Sequence, residues 1–191
     1  GLIHAMRSRI ISSPAFTGEK VIGAILFERT MDGQVGGMPT PTALFDKGVV
    51  PFIKIDKGLE EEANGVQMMK PMPDLDALLA RAKTLGVFGT KERSVINSAN
   101  REGIVAIVKQ QLDVGAQVLA HGMMPILEPE VNIKSATRAE CDAMLLQELL
   151  KGLEALPDGQ QVMLKLSLPV KPGTLSRMSS ISRMIESSLR L

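Results

Sequence analysis

Lys54, Lys91, Glu128 and Lys165 stand 37 residues apart, three intervals in succession. Each closes, or lies near the close of, a short apolar run: VVPFIK, GVFGTK, MMPILE and QVMLK. Two positions beyond each comes a second polar residue: Asp56, Arg93, Glu130 and Ser167. In a strand, residues i and i+2 share a face, so each run ends in a pair of polar side chains aimed one way. A lysine at the end of a buried strand is expensive unless paired, because its ammonium loses hydration. One chemical reason for such a residue is covalent catalysis, in which a neutral amine attacks a carbonyl to form a Schiff base. Burial and a neighbouring cation both push a lysine towards its neutral form. Lys165 follows QVML, the most apolar approach of the three lysines. Lys91 is expected two strands away as the neighbouring cation. Glu128, on the strand between them, is placed to move protons as the imine forms and breaks.

Taken singly, each of these residues has a plainer reading. A strand-end lysine can snorkel into solvent. Glu128–Pro129–Glu130 can be a solvated turn, and Asp56–Lys57–Gly58 a β-turn. The common period and common face of all four pairs favour a site. Metal chemistry finds little support. His4 and His121 are far apart in sequence, Cys141 is the single cysteine, and no ligand spacing occurs. His121, just before Gly122, reads as a structural cation at a helix C-terminus.

A period of 37 residues suits one strand, one crossover helix and two loops. Strands are expected at 21–28, 49–56, 86–91, 123–130 and 161–168, with Pro51 weakening the second. Helices are expected over 74–85, about 98–121, and 137–156. Asp74 is placed to cap the first, and Thr137 with Glu140 has capping-box spacing in the last. Residues 3–12 fit the tail of a helix. Gly33, Gly36, Gly37, Pro39 and Pro41 mark a loop, and 57–73 reads as a long loop above a strand end. Strands alternating with helices call for a parallel sheet, and charged groups at successive strand ends are the layout of a β/α-barrel site. The competing doubly wound fold normally carries a glycine-rich turn, and neither GxGxxG nor GxxxxGK[ST] is present. The expected fold class is α/β, of the (β/α)₈ TIM-barrel family, with about five of the eight strands in this chain. Residues 1–173 are the partial barrel domain and 174–191 a distinct tail.

At 191 residues and 45% hydrophobic composition, one domain with a sizeable core is expected. A net charge of +1, with no Trp, no Tyr and five Phe, argues against a nucleic-acid partner. No apolar run approaches the roughly 20 residues of a membrane span, and the start lacks a secretory layout. One cysteine suits a reducing compartment, so a cytoplasmic location is expected. The tail, TLSRMSSISRMIESSLRL, places Leu175, Met178, Ile181, Ile185 and Leu189 at helical spacing. An amphipathic helix packed on the sheet is expected there, rather than a membrane-surface segment.

The stretches VVPFIKIDKGLEEEANGVQMMKP, GVFGTKERSVI, PILEPEV and VMLKLSLP, with GAILFERTMD, resemble the bacterial type of class I fructose-1,6-bisphosphate aldolase. The resemblance runs from about His4 to Pro169. It implies a metal-independent aldolase of (β/α)₈ fold, needing no cofactor. Such an enzyme reversibly cleaves fructose 1,6-bisphosphate to dihydroxyacetone phosphate and glyceraldehyde 3-phosphate in glycolysis and gluconeogenesis. It further implies that Lys165 is the Schiff-base lysine, Glu128 the proton-transfer carboxylate and Glu130 its support. Lys91 assists carbinolamine chemistry, and Arg93 binds a substrate phosphate. Lys54 is another phosphate or hydroxyl contact, with Asp56 holding the lysines in place. Sugar phosphates are the implied partners, and a homo-oligomer is left open.

The resemblance also sets out departures. An ALDQSGG-like segment with the first strand has no counterpart before His4. LSGG and SFSRAL motifs have none after Pro169, where the chain turns to KPGTLSRMSSISRMIESSLRL. A frameshift product, a shortened isoform and a patch over one sheet edge are the readings this leaves. The alternative function is a non-catalytic barrel fragment that binds a sugar phosphate or another subunit through open sheet edges.

Overall fold

The computed structural model describes residues 2–173 and 184–186. In chain order the elements begin with α1 (Leu2–Ser12), β1 (Gly23–Leu26), α2 (Glu28–Met31), β2 (Gln34–Val35), β3 (Met38–Pro39) and α3 (Thr40–Phe45). There follow β4 (Val50–Lys54), β5 (Val66–Gln67), α4 (Leu75–Thr84), β6 (Gly89–Ile96) and α5 (Arg101–Ala120). The last are β7 (Met124–Val131), α6 (Arg138–Glu154), β8 (Val162–Leu164) and β9 (Met184–Glu186). The main sheet runs β1-β4-β6-β7-β8-β9, every neighbour parallel, with β5 antiparallel to β6 off that path. Helices carry the crossovers between β1 and β8, as parallel pairing requires. The five expected strands are thus present as β1, β4, β6, β7 and β8, β9 adds a sixth beside β8, and the sheet is not closed among the described residues.

Register explains how the 37-residue period builds a site. Lys54 pairs with Lys91, 37 residues on, and Leu127 pairs with Leu164, again 37 on. Between β6 and β7 the offset is instead 35, pairing Arg93 with Glu128. The four leading residues thus occupy two levels, with Lys54 and Lys91 below, and Glu128 and Lys165 one same-face step above. Staggering of this kind accompanies strand tilt in barrels.

Each helix buries the stripe that its periodicity marks. Leu75, Leu78, Leu79 and Ala82 of α4 pack with Leu26, Ile53 and Ile55 of the sheet region. On the other side, Ile104, Ile107 and Val108 of α5 meet Leu127 together with Cys141, Leu145, Leu149 and Leu153 of α6. Each such leucine, isoleucine or valine contributes about 1.5–3 kcal/mol by leaving water. Where β6 meets β7 the backbones come very close. A Cβ on Gly89 would sit 2.1 Å from the Met124 carbonyl oxygen and 2.8 Å from the Phe52 ring. Gly89→Ala is therefore expected to cost about 3 kcal/mol, read as a clear fall in melting temperature; an unchanged melt would contradict this packing.

Several elements differ from expectation. The third strand runs 89–96 rather than 86–91, because its upper half, Glu92-Arg93-Ser94, is polar on both faces and hides the strand pattern. Glu28 opens α2 instead of ending a strand. The glycine-rich loop contains a two-stranded hairpin, β2–β3, turned by Gly36 and Gly37 at φ +60° and +84°, and then α3. Thr137 stands at the start of α6 but makes no capping bond. Its Oγ1 accepts from the Ala99 amide instead, at 2.8 Å. Asp74 likewise makes no side-chain cap on α4, whereas Asn100 caps α5 by accepting from the Gly103 amide at 3.0 Å. The amphipathic helix expected over 174–191 lies outside the described residues, save for 184–186. Those residues form β9, an extended segment beside β8.

Candidate active site

β4, β6, β7 and β8 all run the same way, so their C-terminal ends open together on one side of the sheet. Lys54 ends β4, Lys91 and Arg93 lie in the middle of β6, Glu128 and Glu130 lie in β7, and Lys165 directly follows β8. Strand alternation aims Lys91 with Arg93, and Glu128 with Glu130, to the same side.

Two carboxylates organise the cations. Asp56 is buried, and its Oδ1 accepts from Lys54 Nζ at 2.5 Å. Its Oδ2 lies 3.6 Å from Lys91 Nζ and accepts from the Arg93 backbone amide at 3.2 Å. Lys54 also donates to the Asp56 carbonyl at 2.8 Å. Glu128, equally buried, stands between two lysines on its flanking strands. Lys165 Nζ donates to its Oε1, and Lys91 Nζ lies 2.8 Å from its Oε2. The Lys91 ammonium approaches Oε2 off the hydrogen-bonding direction, so that oxygen receives charge but no directed bond. At the rim, Arg93 Nη1 pairs with Glu130 Oε2 at 2.8 Å.

The arrangement orders the lysines by exposure. The Lys91 side chain is 9% exposed, Lys54 25% and Lys165 37%. The most apolar approach thus does not give the most buried lysine. Lys165 follows a strand of only three residues, whereas Lys91 sits mid-strand between Asp56 and Glu128. A lysine that touches a buried carboxylate yet remains open to solvent can meet a carbonyl compound and hand a proton to Glu128. The four cations outnumber the three carboxylates, which suits an anionic ligand.

Loops around the mouth are also tied down. Gln110 on α5 donates to the Met69 carbonyl at 3.0 Å and accepts from the Met69 amide at 2.9 Å, fixing the 57–73 loop. Glu28 receives Lys57 at 2.8 Å and Arg81 at 2.5 Å. Those two bonds, Lys57 foremost, hold its carboxyl below the usual carboxylate range.

Sequence reasoning missed two residues behind this surface. Glu92, between Lys91 and Arg93, faces the opposite way and is fully buried. Burial, foremost, and the charge of Asp56 push its pKa up to about 8, against the opposing Thr90 hydrogen bond and the Lys91 charge. Strict alternation along GTKERS would have placed a carboxyl on the helix-facing side. The other is Gln111, also fully buried. Its helical position gives no hint of its contacts. Among the described residues, no three His, Cys, Asp or Glu side chains converge as metal ligands would, and no helix is long and apolar enough to cross a membrane.

A parallel α/β sheet whose charged side chains gather at the C-terminal strand ends defines a protein of the β/α-barrel kind. Comparison with known families is specific. The family model described as "Glycolytic: Fructose-bisphosphate aldolase class-I" matches residues 3–174, and the chain belongs to that family. Among solved structures it resembles fructose-bisphosphate aldolase from Plasmodium falciparum, described in complex with TRAP and a small-molecule inhibitor. The TM-score is 0.72 at 21% identity, covering 85% of this chain and 51% of that one. The likeness shows the fold, and the chain spans about half the length of that aldolase. An arginine decarboxylase of Paramecium bursaria Chlorella virus matches with a TM-score of 0.48 and 13% identity, over 79% of this chain and 41% of its own.

Proposed function

We propose that this chain is a Schiff-base, metal-independent aldolase acting on fructose 1,6-bisphosphate, in which Lys165 forms the imine and Glu128 carries the protons. The observation that supports this reading is the Glu128 carboxylate, buried and shared between Lys165 and Lys91 on flanking strands. Lys165 gives its proton to Glu128 and attacks the ketone carbon. Glu128 then returns a proton to the carbinolamine oxygen, which leaves as water. The iminium draws electrons as the Cα–Cβ bond breaks, a base takes the β-hydroxyl proton, and the aldehyde departs. The enamine is protonated and hydrolysed, which frees Lys165. Lys91 stabilises negative charge on Glu128 and oxygen, and Glu130 supports the site through Arg93. Arg93 and Lys54 serve as phosphate or hydroxyl contacts, with Asp56 holding Lys54 and Lys91 in place.

The partial barrel of 1–173 carries all of these residues, and the free, buried Cys141 suits the cytoplasm and its glycolytic setting. The test is release of triose phosphates from fructose 1,6-bisphosphate. Cleavage should persist in EDTA and stop irreversibly when borohydride is added with substrate. No cleavage, or cleavage abolished by EDTA, would overturn the reading. Glu128→Gln should slow adduct formation about 10²-fold while leaving Lys165 as the modified residue; an unchanged rate would remove Glu128 from the proton path. One observation favours the non-catalytic alternative. The outer edge of β1 is unpaired among the described residues, with Ile22, Ile25 and Phe27 exposed beside it.

A further inference from the structure

We propose that Gln111, on the helix layer behind the sheet, is a positioning residue that holds Glu128 where it can exchange protons with Lys165; this rests on the aldolase reading above. Gln111 lies on α5 and is fully buried, among Ile107, Val108 and the sheet. Its Nε2 donates to Ser94 Oγ at 2.8 Å and more weakly to the Glu92 carbonyl at 3.4 Å. Its Oε1 accepts from the Glu128 backbone amide at 3.2 Å. One side-chain amide therefore joins β6 to β7 at the peptide that carries the candidate proton carrier.

Packing alone gives no reason for an amide at this place. Its neighbours along the buried face of α5 are Ile104, Ile107, Val108 and Val118, and a leucine would fill such a site without polar atoms to satisfy. β7 is paired with β6 over all of Met124–Val131, and it is on the β8 side that it lacks fastening. Pro125 and Pro129 leave β7 without two backbone donors. Among the described residues, β7 pairs with β8 only at Ile126 and Leu127. Above that point a side chain takes over on the β8 side: Val131 N donates to Ser167 Oγ at 3.2 Å, and Ser167 Oγ donates to the Val131 carbonyl at 2.9 Å. Glu128 sits at the level where regular pairing to β8 ends, and Gln111 is the clamp on its other side. A carboxylate that must serve two lysines at once tolerates little drift, since a displacement of about 1 Å can cost on the order of 10²-fold in rate.

The test uses the full chain, dihydroxyacetone phosphate and excess borohydride, following covalent adduct by intact mass. Gln111→Met keeps the volume and removes both hydrogen-bonding groups. The rate of adduct formation at saturating triose phosphate is expected to fall roughly tenfold. The half-saturating concentration and the final stoichiometry should stay at their unaltered values. Hydrogen exchange at the Glu128 amide should quicken in parallel. A residue with a packing role alone would instead lower the folded fraction, and so the stoichiometry, while folded molecules reacted at the normal rate; that result overturns the proposal. If circular dichroism shows that Gln111→Met does not fold, Ser94→Ala decides by the same split. It removes one anchor of Gln111 and should slow adduct formation about threefold, and an unchanged rate overturns the proposal. An unaltered chain that forms no adduct overturns the aldolase reading and this inference with it. Normal adduct formation in both the unaltered and the variant chains overturns this inference alone.

Discussion

Replacing Lys165 with methionine is expected to abolish covalent capture of a ketone substrate, by on the order of a thousandfold or more. The other two lysines cannot take over, for geometric reasons. Lys54 is bound twice by Asp56, through Oδ1 at 2.5 Å and the carbonyl at 2.8 Å. Lys91 is closed in between Asp56 and Glu128 with a side chain only 9% exposed. Lys165 alone combines contact with the buried carboxylate and an open approach from solvent. Losing the ammonium also takes a hydrogen bond from buried Glu128, so a modest fall in melting temperature is expected, and trapping is compared per folded molecule to separate chemistry from folding. The measurement is the time course of borohydride-dependent mass gain with dihydroxyacetone phosphate. Lys165→Met trapping at the unaltered rate would sink the assignment of the imine to this residue.

Raising the pH from 5 to 9 is expected to destabilise the chain in a way that Glu92→Gln relieves. Glu92 is fully buried with its Oε1 unpartnered, and burial lifts its pKa from an ordinary 4.5 to about 8. Below pH 4.5 the carboxyl is protonated in folded and unfolded chains alike, so it adds no pH dependence. Between 4.5 and 8 the unfolded chain releases this proton while the folded chain keeps it. Stability therefore falls steadily across that window and levels off above it. The full loss is about 5 kcal/mol, or roughly 15 °C in melting temperature for a chain of this size. Thr90 Oγ1 donates to the other oxygen at 3.2 Å, a bond that the glutamine carbonyl can keep. The glutamine variant should thus melt higher than the unaltered chain at pH 9 and no higher at pH 5. Equal pH dependence in the two chains would show that Glu92 does not hold its proton on folding.

Much of the sheet was readable because each strand–helix unit repeats at one length and each helix stripe is unbroken. The 37-residue interval placed Lys54 level with Lys91, and Lys165 beside Glu128. It did not disclose the two-residue stagger between β6 and β7, because register depends on how strands tilt against each other rather than on spacing along the chain. The length of β6 is hidden for a related reason. Its interior face carries Lys91 and Arg93 and its helix-facing side carries Thr90, Glu92 and Ser94, so neither face is apolar there. The β2–β3 hairpin and α3 hide within a run of glycine and proline that serves a tight turn and a helix start as readily as a loop. Thr137 had the right type and place for a cap, but a neighbouring strand-end loop offered the Ala99 amide instead. Gln111 could not be found from pattern, since a buried amide is legible only by its partners on other elements.

Lys165 as the imine-forming residue is the claim on which the rest depends. The most direct measurement is peptide mapping of the unaltered chain after borohydride reduction in the presence of dihydroxyacetone phosphate. The expected result is a single adduct, on the peptide that contains Lys165. An adduct on Lys54 or Lys91, or no adduct at all, would contradict the account.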